Sequence, residues 1–198
     1  RKIPYANETT HKGQWEKKSI KGTELSKKTL GIIGFGNVGV RLSNLVKGFD
    51  MEILVNSKSL ESRKNEYPHV TNTSFDDLIS TSDIISFHCK AAADGKPLLT
   101  KDHFKKMKPT SYIVNAARGN IIDENDLNDA LNEGLIAGAA VDVFSKEPTK
   151  ENILFNNPKA VLTPHIAAST TEASIVVAEM VANQISDFLL KGVKKNTV

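Results

Sequence analysis

The run Thr29–Gly39, TLGIIGFGNVG, constrains the fold more than any other stretch of the chain. Leu30-Gly31-Ile32-Ile33 is an apolar segment of strand length, and Val38, Leu42, Leu45 and Val46 follow it at helical spacing. Between the two stands Gly34-x-Gly36-x-x-Gly39. In a strand–turn–helix unit the first glycine permits the tight turn and the second lets a phosphate reach the backbone. The third lets the helix pack closely on the strand. The exposed N–H groups and the helix dipole then form an anion site suited to a dinucleotide pyrophosphate. A glycine-rich turn that binds nothing has the same letters, so the rest of the chain must decide.

Further short apolar runs read as strands at Met51–Val55, Ile84–Phe87, Tyr112–Asn115, Gly138–Phe144 and Ala160–Thr163. Helix signals stand between most of them. Ser74 is an N-cap followed by acids, and Thr100 caps a helix through Met107 that Pro109 stops. Asp123 caps Glu124–Asn132, with Gly134 at the C-terminal cap position. Ser169-x-x-Glu172 reads as a capping box opening a long helix to about Lys191, closed by Gly192. The polar tract Asn56–Asn72 reads as a short helix or mostly loop. Apolar strands alternating with helices predict an α/β fold with a doubly wound, Rossmann-type parallel sheet.

A net charge of +3 is small against 26 basic and 23 acidic residues, and the lysines are scattered, which argues against a nucleic-acid partner. The single cysteine, Cys89, rules out internal disulfides and suits a reducing, cytoplasmic setting. No apolar run reads as long enough to span a bilayer, and no secretory signal is visible, so no membrane partner is expected. No Cys/His cluster has zinc spacing, and no G-x-S-x-G or Walker lysine motif occurs; no metal is expected. The chain opens at Arg1 without an initiating methionine, and RKIPYANETTHKGQWEKK reads as the end of something earlier.

Ligands of such sheets bind at the carboxyl ends of the strands, near the switch in strand order. Three strand ends carry chemistry: Asn115-Ala-Ala-Arg118-Gly119, Asp142-Val-Phe-Ser-Lys-Glu147-Pro148, and Pro164-His165. Oxidising a secondary alcohol needs a base for the hydroxyl proton, and reducing the ketone needs an acid at the same place. Histidine serves both because its ordinary pKa lies near neutrality. A carboxylate at the far ring nitrogen fixes the tautomer and stabilises imidazolium; Glu147 is the candidate. Arginine offers a planar donor fork for a substrate carboxylate and can polarise the reacting carbonyl; Arg118 is the candidate. Each residue also has a plainer reading. Arg118 could pair with Asp123 on the surface, Glu147 could be a solvated loop acid, and His165 a structural histidine. His11, His69, His88 and His103 lack such strand-end partners, which points to structural or solvated roles.

The chain resembles the nucleotide-binding domain of D-isomer-specific 2-hydroxyacid dehydrogenases, most closely the D-3-phosphoglycerate dehydrogenase branch. GQWEKK, KGTELSKKTLGIIGFGNVG, NAARGNIIDENDLNDAL, GAAVDVFSKEP and LTPHIAASTTEA carry the resemblance, in family order and across nearly the whole chain. It implies that Arg118 binds the substrate carboxylate and carbonyl, that His165 is the acid/base and that Glu147 orients it. It also implies backbone contacts of Asn37 and Val38 with the pyrophosphate. Ala116, Ala117 and Asp142 would flank the nicotinamide ribose and carboxamide, with Ala167 and Ala168 beside them. By the same resemblance the split substrate domain is missing. Residues 1–25 would be the end of a linking helix and a dimerisation arm, 26–192 the cofactor-binding domain, and 193–198 the start of the return. Trp15 would then be partly buried in a two-fold homodimer; anchoring the arm within its own chain is the alternative.

Two departures from the family pattern bear on the cofactor. At the end of the second strand, where NAD-dependent members carry an acid, the chain reads Val55-Asn56-Ser57-Lys58-Ser59. A hydroxyl at Ser57 and the Lys58 ammonium, with Arg63 further on, suit a 2′-phosphate, so the cofactor is NAD or NADP. The second departure is His88-Cys89-Lys90, where many relatives have Thr-Pro lining the adenine pocket. The expected function is hydride transfer between this cofactor and a 2-hydroxy or 2-keto acid, with D-3-phosphoglycerate as substrate. Glyoxylate, hydroxypyruvate and other 2-keto acids are alternatives. So is a dinucleotide-sensing, corepressor-like binding protein that shares the fold and the triad.

Overall fold

The computed structural model describes residues 2–196. Among them the chain forms two compact units, one ending at Thr163 and one beginning at Pro164. The first unit is built on a seven-stranded sheet whose ladders all run parallel. Its strands are β1 (Thr29–Ile33), β2 (Glu52–Asn56), β3 (Thr71–Asn72), β4 (Ile84–Phe87), β5 (Tyr112–Asn115), β6 (Gly138–Val141) and β7 (Ala160–Leu162). The order β3-β2-β1-β4-β5-β6-β7 reverses direction between β1 and β4, so the loop after β1 lies at the switch point.

Side-chain alternation shows why the sheet is covered on both faces. Leu30 and Ile32 of β1, with Ile53 and Val55 of β2, belong to one buried cluster that also holds Phe35 and Leu60. Ile33 and Leu54, one residue out of phase, belong to the other, with Leu78, Ile85, Phe104, Ile113 and Leu127. The helices of this unit are α1 (Ile3–His11), α2 (Asn37–Leu45), α3 (Lys58–Glu61), α4 (Phe75–Thr81), α5 (Lys101–Phe104) and α6 (Glu124–Glu133). Ser74 and Asp123 cap α4 and α6 through their side chains, and Gly134 closes α6 in the left-handed region.

Several boundaries differ from the sequence expectation, each for a local reason. Thr71–Asn72 pairs with Leu54–Val55, so the polar tract ends in an edge strand rather than a loop. Helix α5 ends at Phe104 instead of Met107, because Lys106 and Met107 donate three residues back and tighten the turn. Strand β6 ends at Val141 rather than Phe144, whose N–H donates to Glu147 Oε1 at 2.7 Å. On α2 the buried positions are Gly39 and Ser43, while Val38 and Leu45 face out, because small residues let the helix sit close to β1.

Asp83 ties the amino ends of three strands together. Its Oδ2 accepts the Thr29 N–H at 2.9 Å, its Oδ1 accepts from Lys108 Nζ at 3.0 Å, and its carbonyl accepts the Tyr112 N–H. Burial alone would raise its pKa, but the Thr29 amide and the Lys108 ammonium outweigh that and hold it below the usual carboxylate range. Asp83→Ala is expected to cost about 1–3 kcal/mol at pH 7. A carboxyl whose folded pKa lies below its unfolded value contributes stability above about pH 4, lost as pH falls through the folded pKa. Urea denaturation of both proteins should therefore show the gap at pH 7 and its narrowing near pH 3. An equal gap at both values would contradict the ionic account.

The second unit holds α7 (Thr171–Lys191), closed by Gly192 in the left-handed region. Thr170, not Ser169, is its N-cap: the Ala173 N–H donates to Thr170 Oγ1 at 3.0 Å, while the Ser169 N–H turns back to Ile166. By length and composition α7 is apolar enough to cross a membrane, which corrects the expectation that no such run exists. It carries Glu179, Asn183, Gln184 and Asp187 within its length, groups that hydrocarbon would penalise.

Candidate functional site

The strand register gathers the sequence-predicted residues of the first unit along one edge of the sheet. Ile33 pairs with Asn56 and with Phe87, Phe87 with Asn115, Asn115 with Val141, and Val141 with Leu162. These residues form a single row across six strands. The next residue of each strand is therefore Gly34, Ser57, His88, Ala116, Asp142 or Thr163. All but β3, at the sheet margin, thus deliver their carboxyl ends to one level.

At the centre is the glycine turn. Gly34 has φ +93°, and a Cβ there would stand 2.5 Å from the His88 carbonyl oxygen. The turn thus lies directly on the His88-Cys89 backbone, and only glycine satisfies both its dihedral and its space. A Cβ at Gly39 would meet the Gly34 carbonyl oxygen at 2.4 Å, whereas at Gly36 it would meet nothing within 4 Å. Gly36 is the N-cap of α2 and no side chain caps that helix. Asn37 and Val38, both exposed, open its first turn. A nine-residue helix with an uncapped N-terminus and open space over its N-cap fits a pyrophosphate.

Beside the turn, Ser57 and Ser59 place their hydroxyls 2.9 Å apart, and Ser59 Oγ lies 3.5 Å from the Phe35 carbonyl oxygen within the glycine turn. The nearby acid Glu61 accepts from Asn72 Nδ2. Lys58 is exposed. Arg63 is engaged with Glu66 and the Tyr67 hydroxyl. On the other side of the turn His88 is half-buried with Nε2 2.8 Å from Ser86 Oγ, and burial pushes its pKa down. Burial pushes the Cys89 thiol pKa up, which leaves it un-ionised and unreactive at neutral pH.

The loop Ala116-Ala117-Arg118 is built on buried Asn115, whose Oδ1 accepts the Ala117 N–H at 3.1 Å and whose Nδ2 donates to the Arg118 carbonyl at 2.9 Å. Arg118 is exposed, and its Nη1 donates to the Ala117 carbonyl at 2.6 Å. The surface pair with Asp123 does not form; that carboxylate caps Asn125 and Asp126. Asp142 is buried, and its Oδ1 accepts from Thr163 Oγ1 at 2.5 Å. Glu147 follows five residues later, before a cis peptide bond to Pro148. Two of the other histidines take structural partners: His69 with Ser43, and His103 with Thr100 as the reciprocal half of a capping box.

His165, Ala167 and Ala168 belong to the second unit. His165 has φ +55°, a left-handed conformation uncommon for residues other than glycine and enriched at functional positions. A cavity of about 570 Å³ opens at the amino ends of the strands, lined by Leu25, Lys28, Asp83, Ile84, Tyr112 and Val114 among others. It lies at the opposite end of the sheet from the glycine turn. The sequence places Asn115, Gly119 and Glu124 at a strand end and a helix start but gives them no role of their own; the packing of Gly119 on Phe144 is visible only in three dimensions.

Residues 1–167 match the family described as D-isomer specific 2-hydroxyacid dehydrogenase, NAD binding domain. The chain is 39% identical to a D-3-phosphoglycerate dehydrogenase of Synechocystis sp. over 96% of its own length and 34% of that protein. It is 35% identical to a glyoxylate reductase of Thermococcus litoralis over all of its length and 62% of that protein. Among solved structures, an acyclic imino acid reductase in complex with NADPH and D-Arg superposes with a TM-score of 0.86 at 31% identity. That match covers 96% of this chain and 60% of the other. The chain thus spans about a third of the phosphoglycerate dehydrogenase and about three fifths of the two reductases.

Proposed function

The chain belongs to the D-isomer specific 2-hydroxyacid dehydrogenases through their NAD-binding domain, and on that premise we propose that it is the cofactor-binding part of an oxidoreductase acting on a small 2-hydroxy or 2-keto acid. The observation that carries this reading is the register that sets the glycine turn, Ala116-Ala117-Arg118 and Asp142 along one edge of the sheet. A nicotinamide dinucleotide, when bound, supplies or accepts the hydride. Gly34, Gly36, Asn37, Val38 and Gly39 would hold its pyrophosphate. Ala116, Ala117, Asp142, Ala167 and Ala168 would flank its nicotinamide half, and Cys89 the adenine side.

Arg118 grips the substrate carboxylate with its donor fork and draws charge from the reacting carbonyl. His165 gives a proton to the carbonyl oxygen in reduction and takes it from the hydroxyl in oxidation. Glu147 is the residue proposed to orient that imidazole, as in the family the chain resembles. D-3-phosphoglycerate is the substrate proposed first, on the similarity to phosphoglycerate dehydrogenases; glyoxylate and related 2-keto acids are second, on the similarity to glyoxylate reductases. We propose a cytoplasmic homodimer in which the partner would cover Trp15, 83% exposed in the single chain.

For the cofactor we favour NADP. The Ser57 and Ser59 hydroxyls beside the glycine turn and the Lys58 ammonium suit a 2′-phosphate, and no acid at the end of β2 repels it. The similar acyclic imino acid reductase was solved with NADPH. The test is a panel of 2-keto acids with NADH and NADPH on the full-length protein, beside titration of both cofactors by fluorescence. Turnover of a 2-keto acid, with NADPH binding at least as tightly as NADH, is expected. NADH binding tenfold tighter would overturn the cofactor choice. Cofactor-dependent peptide binding without turnover would favour a dinucleotide sensor.

A further inference from the structure

Glu124 is the first residue of α6, and its carboxylate reaches out of the helix to the loop that follows β6. Its Oε1 accepts the Ser145 N–H at 2.7 Å, and its Oε2 accepts from Asn152 Nδ2 at 2.8 Å. Asn152 Oδ1 in turn accepts the Leu154 N–H at 2.9 Å. One carboxylate thus fastens the loop on both sides of Glu147. The adjacent amides divide between two acids, Phe144 N–H going to Glu147 Oε1 and Ser145 N–H to Glu124 Oε1.

The same helix is tied to the other functional loop. The chain passes from Arg118 through a single 3-10 turn, Gly119–Ile121, and reaches Glu124 three residues later. Gly119 packs directly on the Phe144 backbone, where a Cβ would lie 1.9 Å from the carbonyl carbon and oxygen. The Glu124 carboxylate is half-buried and accepts on both oxygens at the first turn of its helix.

We infer that Glu124 is a positioning residue that locks the loop bearing Glu147 to the loop bearing Arg118. The inference deepens the dehydrogenase reading and rests on it for its catalytic consequence. Surface acids at helix starts usually serve the dipole alone. Here both oxygens are spent on a different segment, 21 and 28 residues away in sequence.

The test uses Glu124→Ala and Glu124→Gln in the full-length protein. Glutamine keeps one acceptor, so it should restore part of what alanine loses. Alanine is expected to lower kcat for the 2-keto acid 10- to 100-fold and glutamine less, while the cofactor dissociation constant moves less than twofold. Amide exchange at Ser145 should accelerate at least tenfold in the alanine variant relative to the unmutated protein. A lower melting temperature with kcat, KM and Ser145 exchange unchanged would make Glu124 merely structural and overturn the inference. If the unmutated protein turns over no 2-keto acid, the dehydrogenase reading fails instead. The Ser145 exchange then still decides whether Glu124 fastens the loop.

Discussion

His165→Gln in the full-length protein is expected to reduce kcat for 2-keto acid reduction by about 10²- to 10⁴-fold, the usual contribution of a positioned general acid. The amide cannot donate and reclaim a proton near neutral pH, whereas imidazole does both. Cofactor affinity should change little, because the proposed pyrophosphate site is the turn at Gly34–Gly39 and the uncapped start of α2. Steady-state kinetics alongside cofactor titration separates these effects. Retention of more than a tenth of the turnover would remove His165 from the acid/base role. The left-handed backbone at His165 sharpens the expectation: a non-glycine residue held at φ +55° is more readily understood where its side chain must be aimed. Glutamine has less intrinsic tolerance for that conformation, so circular dichroism should accompany the kinetics to show that the variant is folded.

The fold was legible because local signals and the global pattern agree. Apolar runs marked six of the strands, and the caps at Ser74, Asp123 and Gly134 stand where their chemistry predicts. Two of the misses come from competition by side chains or small residues that a linear pattern cannot weigh. Val38 and Leu45 have helical apolar spacing, yet α2 turns Gly39 and Ser43 inward because closeness to β1 matters more than side-chain size. Thr71–Asn72 is polar on both faces and two residues long, so only its neighbour Leu54–Val55 reveals it as a strand. The end of β6 fell three residues early because the Glu147 carboxylate takes the Phe144 amide.

The candidate site divides in the same way. Residues that offer chemistry, Arg118, Glu147, Asp142 and the glycine turn, announce themselves by type and by position after strands. Residues that hold those loops do not. Asn115 reads as the last residue of a strand, Glu124 as a helix-start acid and Gly119 as a neutral spacer. Their roles come from partners across the fold: Asn115 spans the Arg118 loop, and Glu124 reaches Ser145 and Asn152. Side-chain type tells what a residue can bind, but the identity of its partner is set by packing.

Gly119→Ala carries the largest expected effect on stability. The added methyl would stand 1.9 Å from the Phe144 carbonyl carbon and oxygen and 2.4 Å from the Ser145 nitrogen. These are backbone atoms, so no rotamer change relieves the clash, and the two loops must separate. Overpacking of this kind costs about 1–3 kcal/mol or more, which for a chain of this size lowers the melting temperature by roughly 2–4 °C per kcal/mol. Turnover should fall as well, since the shift acts on Arg118 and on the segment carrying Glu147. Gly36→Ala is the contrast. Gly36 has φ −84° and nothing within 4 Å of its would-be Cβ, so alanine fits the folded chain without strain. Its methyl would occupy the space through which a pyrophosphate approaches the helix start, and only cofactor affinity should suffer. Thermal melts of the two variants, each with and without cofactor, separate the cases. Gly119→Ala should melt lower in both conditions, whereas Gly36→Ala should melt normally alone and lose the upward shift that cofactor gives the unmutated protein. If Gly36→Ala kept that shift in full, the space above α2 would not be where the dinucleotide binds.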